Sequence, residues 1–493
     1  MENTSVLYRI ILKSVATLAA VASVGCTKAF QVSESLLKPA LSSVPGDAIP
    51  DDPNLPSNQP PVQQPPVQQP PIQEPPVQQP PVQEPPVQEP PKQEPPVQQP
   101  PAEPAGRKVE VSNADALRSA IGSAAPGDVI TLLPGVYRFN SKISVSRSGS
   151  ASNPIYLRAA TLGTAILEAN TPELFYLSAA YWIFENLEIR GVCGNDSDCE
   201  HALHVVGGAN RTIVRSNKIY DFNAHIKGNG SDSNNPAAYP SDVLIEGNDL
   251  YANRPRNTGN PVTWIDIVGG ERWVIRSNVI RDFAKAGGNG VSYGAFLKGN
   301  GKQGVFERNL VMCERKVNSS GTKIGLSFGG GGTGTPYCLF QNCETEPSDG
   351  VMRNNIIMNC SDVGIYLIKS ARTTITHNTM YNTNGIDSRF ATSSATITNN
   401  IMGGGIHNRD GGASSAANNL QAGSLADYSN WFQNPSGGDF RVKNGASILG
   451  KVNVSTPSDL CGAARSGAGD LGAIQYTAGA ACATSILQLY QGL

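Results

Sequence analysis

The 493-residue chain sets 38 Lys and Arg against 40 Asp and Glu, a formal net charge of −2, so no global field favours a nucleic-acid partner. Only 16% of residues are charged, Gly reaches 51, and no helical periodicity is sustained past residue 130. That balance argues against a helical protein and for a β-rich exported one.

Residues 1–26 read as an export signal. Arg9 and Lys13 flank the apolar run SVATLAAVASVGC, too short for a permanent membrane helix. Its end, Ser23-Val24-Gly25-Cys26, resembles a bacterial lipobox, which makes Cys26 the lipidation site and, with Thr27 following, the outer membrane the address. Ordinary signal-peptidase cleavage near the AVA triplet is the alternative, giving a periplasmic or extracellular protein. Residues 27–105 form a disordered linker in which PPVQQ and its variants recur nine times from Pro60. Paired prolines impose polyproline II and remove backbone donors, so this stretch is a stalk reaching roughly 140 Å at about 3.1 Å per residue.

From residue 106 the pattern changes. NADALRSAIGSA places Leu117 and Ile121 on one helical face behind an N-cap at Ser112 or Asn113, a short capping helix. Then one phrase recurs: TIVRSNKI (212–219), WVIRSNVI (273–280), GVFERNLV (304–311) and GVMRNNII (350–357). The full series of its asparagines is Asn186, Asn217, Asn248, Asn278, Asn309, Asn355, Asn378, Asn400 and Asn419. Residues three before (Ile183, Val214, Ile245 and so on) and, for the seven from Asn217 to Asn400, two after (Ile219, Leu250, Ile280 and so on) are apolar, the alternation of short strands. A second strand, usually ending in Gly, precedes each Asn: ALHVVGG from Ala202, WIDIVGG from Trp264, GAFLKGNG from Gly294, GIYLIK from Gly364, GIDSRF from Gly385 and GIHNRD from Gly405. A repeat that shortens to near 20 residues, with an Asn at a turn, predicts an all-β fold. It is a single-stranded right-handed parallel β-helix over 106–425 with a C-terminal cap or tail over 426–493. The asparagines are a structural column.

The segments ALRSAIGSAAPGDVITLLPGVYRF, SGSASNPIYLRAATLGTAILEA and WIFENLEIRG resemble the opening coils of the polysaccharide lyase family that includes chondroitinase B and several alginate lyases. The resemblance covers residues 108–195, and the pectin-lyase-like β-helix class covers 196–420. It implies β-elimination on an acidic, uronic-acid-containing polysaccharide. That family's catalytic Lys and Arg motifs are not matched here residue by residue.

Excursions at 190–201, 222–240, 252–262, 281–294, 312–325 and 332–350 gather beside the Gly-ending strand and predict a groove there. Alternation turns Leu203, Val205, Ile265, Ile267, Ala295, Leu297, Ile365, Leu367, Ile386 and Ile406 inward. It turns His204, Asp266, Phe296, Lys298, Lys323, Ser327, Tyr366, Asp387, Arg389, His407 and Arg409 outward. β-Elimination needs a neutraliser for the C5 carboxylate, a base for the C5 proton and an acid for the leaving oxygen. Lys298 or Lys323 suits the base, Arg389 or Arg409 the neutraliser, and Tyr366 or His407 the acid; His204, Asp266, Phe296 and Asp387 line the substrate path. Lys298 and Arg389 lie three coils apart, about 14 Å. Two half-sites follow, Lys298 with Lys323, or Tyr366 with Arg389, His407 and Arg409, and the second is the denser.

The acidic loop CGNDSDCEH offers Asp196, Asp198 and Glu200 as oxygen ligands for Ca²⁺, against the plainer reading of a solvated loop. FGGGGTGTPYC reads as a flexible lip on the groove, and Trp264 and Trp273 either stack on sugars or pack at corners. Cysteines pair as Cys193–Cys199, Cys338–Cys343, Cys461–Cys482 and, by remainder, Cys313–Cys360. The expected partners are an acidic polysaccharide and, through the lipid anchor, the outer membrane, with no nucleic acid and the chain acting as a monomer. The alternatives are a non-catalytic glycan-binding or adhesion protein, a glycoside hydrolase, or a C5-epimerase. Hydrolysis is weakened because Asp266 and Asp387 lie four coils apart, roughly 19 Å.

Overall fold

A computed structural model describes residues 106–477 apart from 331, 454–455 and 466–467. The signal, Cys26, the stalk and Cys482 lie outside the described residues. Three parallel sheets of 12, 11 and 10 strands run the length of the solenoid. The first holds the strands before each ladder Asn (Val214 to Ile397 inward), the second those after it, and the third the Gly-ending strands. Each strand pairs in register with its counterpart one coil away, as Val214 does with Ile245 and Ile219 with Leu250. The fold is a right-handed parallel β-helix.

Its core is one continuous apolar thread. Val214, Ile245, Ile275, Phe306, Met352, Ile375 and Ile397 from the first sheet meet Ile219, Leu250, Ile280, Val311, Ile357 and Met380 from the second. Leu203, Ile265, Ala295, Leu326 and Ile365 join them from the third. The N-terminal end is closed by the helix Ala114–Gly122, whose Leu117 and Ile121 are buried. Asn113 caps it, accepting from the Ala116 N–H at 2.9 Å.

The asparagine column is a hydrogen-bonded ladder at the corner between the first and second sheets. Asn217 donates through its backbone N–H and its side-chain amide to Asn248 Oδ1, both at 3.0 Å, and through the amide to the Phe184 carbonyl. The pattern repeats through Asn278, Asn309, Asn355, Asn378 and Asn400 to Asn419. Each buried amide therefore satisfies turn groups that water cannot reach. Asn186 is not a member, contrary to the sequence expectation. The ladder position in that coil is Leu187, whose N–H donates to Asn217 Oδ1. Asn186 instead occupies the left-handed turn residue (φ 55°) that Ser216 and Ser277 fill elsewhere. Ile183, three before it, accordingly packs outside the core with Val129, Tyr156 and Ile213, and Phe184 takes the inward place.

A coil was also misread. Residues 222–240 are not one excursion: Ala224–Asn229 is a strand of the third sheet, pairing with His201–Val206 and Val262–Val268. Three disulfides, Cys193–Cys199, Cys313–Cys360 and Cys338–Cys343, form as the spacing suggested. Cys461 is also disulfide-bonded. The stretch from Leu425 folds back along the outer face of the second sheet. There Tyr428, Trp431, Phe432, Phe440 and Ile448 cover Leu310, Met312, Ile356, Met358 and Tyr381. Trp264, within the strand Val262–Val268, and Trp273, just before the strand Val274–Arg276, are fully buried and donate to the Arg281 and Pro240 carbonyls.

Candidate active site

The third sheet presents its outward side chains in register. One column runs Tyr176, His204, Lys227, Asp266, Phe296, Ser327, Tyr366, Asp387 and His407. Two residues further along each strand, a second column includes Asn229, Val268, Lys298, Arg389 and Arg409. Lys298, Arg389 and Arg409 thus share one face of the solenoid, with Lys298 and Arg389 three coils apart.

The columns hold two charged groups. In the first, Lys227 Nζ lies 2.9 Å from Asp266 Oδ2. Asp266 is 4% exposed, and its Oδ1 accepts no hydrogen bond. Burial pushes its carboxyl up, but the ammonium groups of Lys227 and then Lys298 outweigh this and hold it below the usual carboxylate value. Lys298 is partly buried over the Phe296 ring, 4.4 Å from its centroid. Burial lowers its pKa, the neighbouring Lys227 adds to that, and Asp266 only partly offsets it. Among the described residues its ammonium makes no ion pair. Next to this group, His204 Nδ1 is 2.9 Å from Glu173 Oε1, and burial pushes His201 down to about 4.

In the second group the cations are already paired. Arg409 Nε donates to both oxygens of Asp387 at 3.0 and 2.8 Å. Arg389 bonds the Asp410 carboxylate and donates to Tyr366 Oη at 3.2 Å. His407 is exposed.

Two loops wall the first group at the ends of its strands. The stretch 230–242 and the disulfide-pinned stretch 332–346 meet through Phe340 N–H to the Ser233 carbonyl (2.6 Å) and Tyr239 Oη to the Tyr337 carbonyl (3.1 Å). Leu339 N–H bonds the Gly299 carbonyl, and Glu346 accepts from Gly299 N–H at 2.9 Å, tying this wall to the residue after Lys298. Gly330 packs closely on the lysine, since a Cβ there would stand 3.0 Å from Lys298 Cδ and oblige that side chain to shift. Tyr337 and Phe340 remain 69% and 53% exposed on the rim.

The structure separates several residues that the sequence grouped. Lys323 pairs across the sheet with Ser292, six residues before Lys298, roughly 20 Å along the strand. Its side chain is 1% exposed and bound to Glu314 Oε1 at 2.7 Å and the Ser319 carbonyl, so the Lys298–Lys323 half-site does not form. The acidic loop is not a cation cradle either. Asp196 is buried against Arg254 and Arg256 at 2.6 and 3.0 Å, Glu200 accepts from Asn223 and Asn260, and Asp198 points outward alone. Within the groove, Asp266 and Asp387 each answer a cation. The donor set therefore does not fit a resident Ca²⁺, which needs six to eight oxygens. Asp266 and Asp387 lie four coils apart in register, as a hydrolase pair cannot.

Sequence reasoning missed Lys227, His201 and Glu173. Lys227 lay in the coil read as a loop, although HIKGNG (225–230) repeats the LKGNG of 297–301 almost letter for letter. His201 was missed because strict alternation places residues 201 and 204 on opposite faces. Here Ala202 and Leu203 both turn into the core, as Leu174 and Phe175 do one coil earlier, so both histidines stay outside.

No family profile matches the chain. Over 264 residues it is 24% identical to pectate lyase L of Dickeya chrysanthemi and to that of Dickeya dadantii (strain 3937), a stretch covering 43% of this chain. The chain spans 61% of the length of these curated relatives. Among solved structures, pectate lyase Pel9A superposes with a TM-score of 0.52 at 16% identity, covering 76% of this chain and 97% of that one. An alginate lyase from Paenibacillus gives 0.38 at 19% identity, over 64% and 96%. The chain is thus a right-handed parallel β-helix protein, similar in sequence to pectate lyase L and in fold to Pel9A.

Proposed function

We propose that this is an exported polysaccharide lyase that cleaves an acidic, uronic-acid-containing polymer by β-elimination in the groove over the third sheet, with Lys298 as the base. The observation carrying this reading is a partly buried lysine that makes no ion pair among the described residues, its pKa lowered, facing a walled groove that holds a second lysine two coils away. A neutral Lys298 takes the C5 proton, the electron pair moves into the C4–C5 bond, and the C4–O4 bond breaks. Lys227 stands two coils to the other side of Lys298, about 10 Å by strand spacing and paired with Asp266, where it helps draw the anionic polymer into the groove. Tyr366, two coils beyond Lys298 at about 10 Å, and His407, at roughly 19 Å, are too distant to serve the same sugar, so solvent protonates the leaving oxygen. The paired arginines Arg389 and Arg409, with Asp387, line the path of the rest of the polymer. Similarity to pectate lyase L supports the reaction class and an acidic substrate. Export and anchoring through Cys26, with the proline stalk as spacer, rest on the sequence alone.

The test is to incubate the protein with pectate, alginate and glycosaminoglycans, with and without Ca²⁺, and follow the ultraviolet absorbance of unsaturated uronate ends. Activity on one of them, lost by about 10²-fold or more in Lys298→Ala, is the expected result. New reducing ends without that absorbance, altered uronate stereochemistry without cleavage, or binding alone would replace the lyase with a hydrolase, an epimerase or an adhesin.

A further inference from the structure

Three side chains at the N-terminal end of the groove have no part in the reaction just described. Glu173, His201 and His204 each offer one ligand atom, and these atoms all lie within 4.8 Å of one another. Glu173 and His201 are direct neighbours across two coils, and the inward turn of Ala202 and Leu203 brings His204 to the same side, with the two imidazole centroids 5.2 Å apart.

The hydrogen bonds around them assign the ring nitrogens. His201 Nδ1 faces the Ala224 carbonyl at 3.3 Å, and a carbonyl only accepts, so Nδ1 carries a proton and Nε2 keeps its lone pair. Asn229 Nδ2 donates to the Gly230 carbonyl, which fixes that amide, and Asn229 Oδ1 therefore accepts from His204 Nε2 at 2.6 Å. His204 Nδ1 is left facing Glu173 Oε1 at 2.9 Å. The other carboxylate oxygen, Glu173 Oε2, is buried and accepts no hydrogen bond; its cation neighbour, Lys142 Nζ, stands at 3.7 Å. Each imidazole is thus held by an outer oxygen on one nitrogen, leaving His204 Nδ1 against the carboxylate and His201 Nε2 with its lone pair, as outer-sphere partners hold metal-bound histidines.

We propose that Glu173, His201 and His204 form a binding site for a divalent transition-metal ion such as Zn²⁺. Two imidazoles and one carboxylate suit Zn²⁺, Co²⁺ or Ni²⁺ and not Ca²⁺. The ion takes the place of the proton between His204 Nδ1 and Glu173, and that proton leaves to solvent. Donors of a tetrahedral site with bonds near 2.0–2.1 Å stand about 3.4 Å apart, so closure asks for shifts of about 1 Å. The charge of Lys227, on the next coil, is already answered by Asp266 at 2.9 Å. Three protein ligands leave a fourth position open toward the groove, where a uronate carboxylate fits. The site itself does not depend on the lyase reading.

The chain contains five histidines, and the other three are scattered: His225 and His377 are buried in separate coils and His407 is exposed at the far end of the column. This makes the experiment readable. Zn²⁺ is titrated calorimetrically into the metal-free protein, carrying no histidine tag and with no polysaccharide present, and Co²⁺ is added in parallel to read coordination from its visible bands. One equivalent of Zn²⁺ bound with micromolar or tighter affinity is expected. Glu173→Gln and His204→Ala should weaken binding about tenfold or more, and His407→Ala should leave it unchanged. Absence of saturable Zn²⁺ binding, absence of any ligand-field band in the unaltered protein with Co²⁺, or equal affinity in Glu173→Gln would overturn the proposal. The Co²⁺ arm needs no variant, so a misfolded substitution cannot shield the claim.

Discussion

Replacing Lys227 by Met removes the cation held 2.9 Å from a carboxylate whose side chain is 6% exposed, while Lys227 itself is 19% exposed. At an effective dielectric of about 20 the direct attraction is about 6 kcal/mol, most of it offset by desolvation. Breaking such a buried pair by removing one partner costs about 3–5 kcal/mol, because the remaining charge stays buried. With an unfolding entropy of about 2.1 cal/mol/K per residue over ~370 residues, that corresponds to a Tm lower by about 4–6 °C near neutral pH. The pH dependence identifies the cause. Asp266 is held below its unfolded value, so its contribution is present above the unfolded carboxylate pKa and is lost as pH falls through the folded one. In Lys227→Met, burial outweighs what remains, the carboxyl takes up a proton at higher pH, and the variant recovers relative to the parent. Calorimetric scans at about pH 7 and about pH 4 should therefore show a gap that narrows on acidification. Adding Asp266→Asn should rescue most of the loss at neutral pH. An equal gap at both pH values, or a double variant no better than the single one, would refute the reasoning.

Four further outcomes are expected. The rate of polymer cleavage should rise with pH along a limb set by Lys298, centred below the ordinary lysine value. Lys227→Met should move that limb upward, because Lys227 lowers the Lys298 pKa. Lys323→Met should reduce stability by about 2–4 kcal/mol while leaving kcat within about threefold, since it breaks the pair with Glu314 and touches no part of the groove; a selective loss of kcat would return Lys323 to the site. Asn278→Ala, which leaves the buried backbone N–H and side-chain amide of Asn248 without their acceptor, should cost about 2–4 kcal/mol in denaturant melts. Asn186→Gly, at a left-handed turn residue outside the ladder, should be within about 1 kcal/mol of the parent.

Much of the fold was legible because the core has a period. Apolar residues three before and two after an asparagine can point to one interior only when the strands are short and the coils stacked, and seven of the eight intervals keep that phase. The exception shows what periodicity lacks. Asn186 sits one residue early, and the local sign is slight: Glu188, two after it, is polar, and the core residue Ile189 comes three after. Only the neighbouring coil's register decides. The site was less legible for a related reason. Outward residues were assigned by alternation, which fails where Ala202 and Leu203 both turn in, and alternation says nothing about how far along a strand two lysines stand. Lys323 and Lys298 share a face in sequence logic and are separated by six strand positions in space. The acidic loop failed as a metal site because its cations, Arg254 and Arg256, come from a different coil.

The repeated KGNG shows how register makes chemistry out of a duplicated phrase. Lys227 and Lys298 occur in nearly identical contexts two coils apart, yet Lys227 stands directly beside Asp266 in the first column, whereas Lys298 is displaced by two residues into the second. By strand geometry the backbone separation from Asp266 is about 4.8 Å for Lys227 and about 8 Å for Lys298. Equal register would have set both ammonium groups against one carboxylate, each stabilised as a cation and neither suited to accept a proton. The slip leaves Asp266 paired with Lys227, while Lys298 feels that carboxylate only at a distance, and burial outweighs the opposing pull of Asp266 and Glu346. A variant that moves the second lysine into line, Phe296→Lys with Lys298→Leu, keeps the number of charges and the strand unchanged. It should form the additional ion pair with Asp266, raise the lysine pKa and abolish cleavage; retained activity at an unshifted pH would mean that position along the strand is not what makes Lys298 the base.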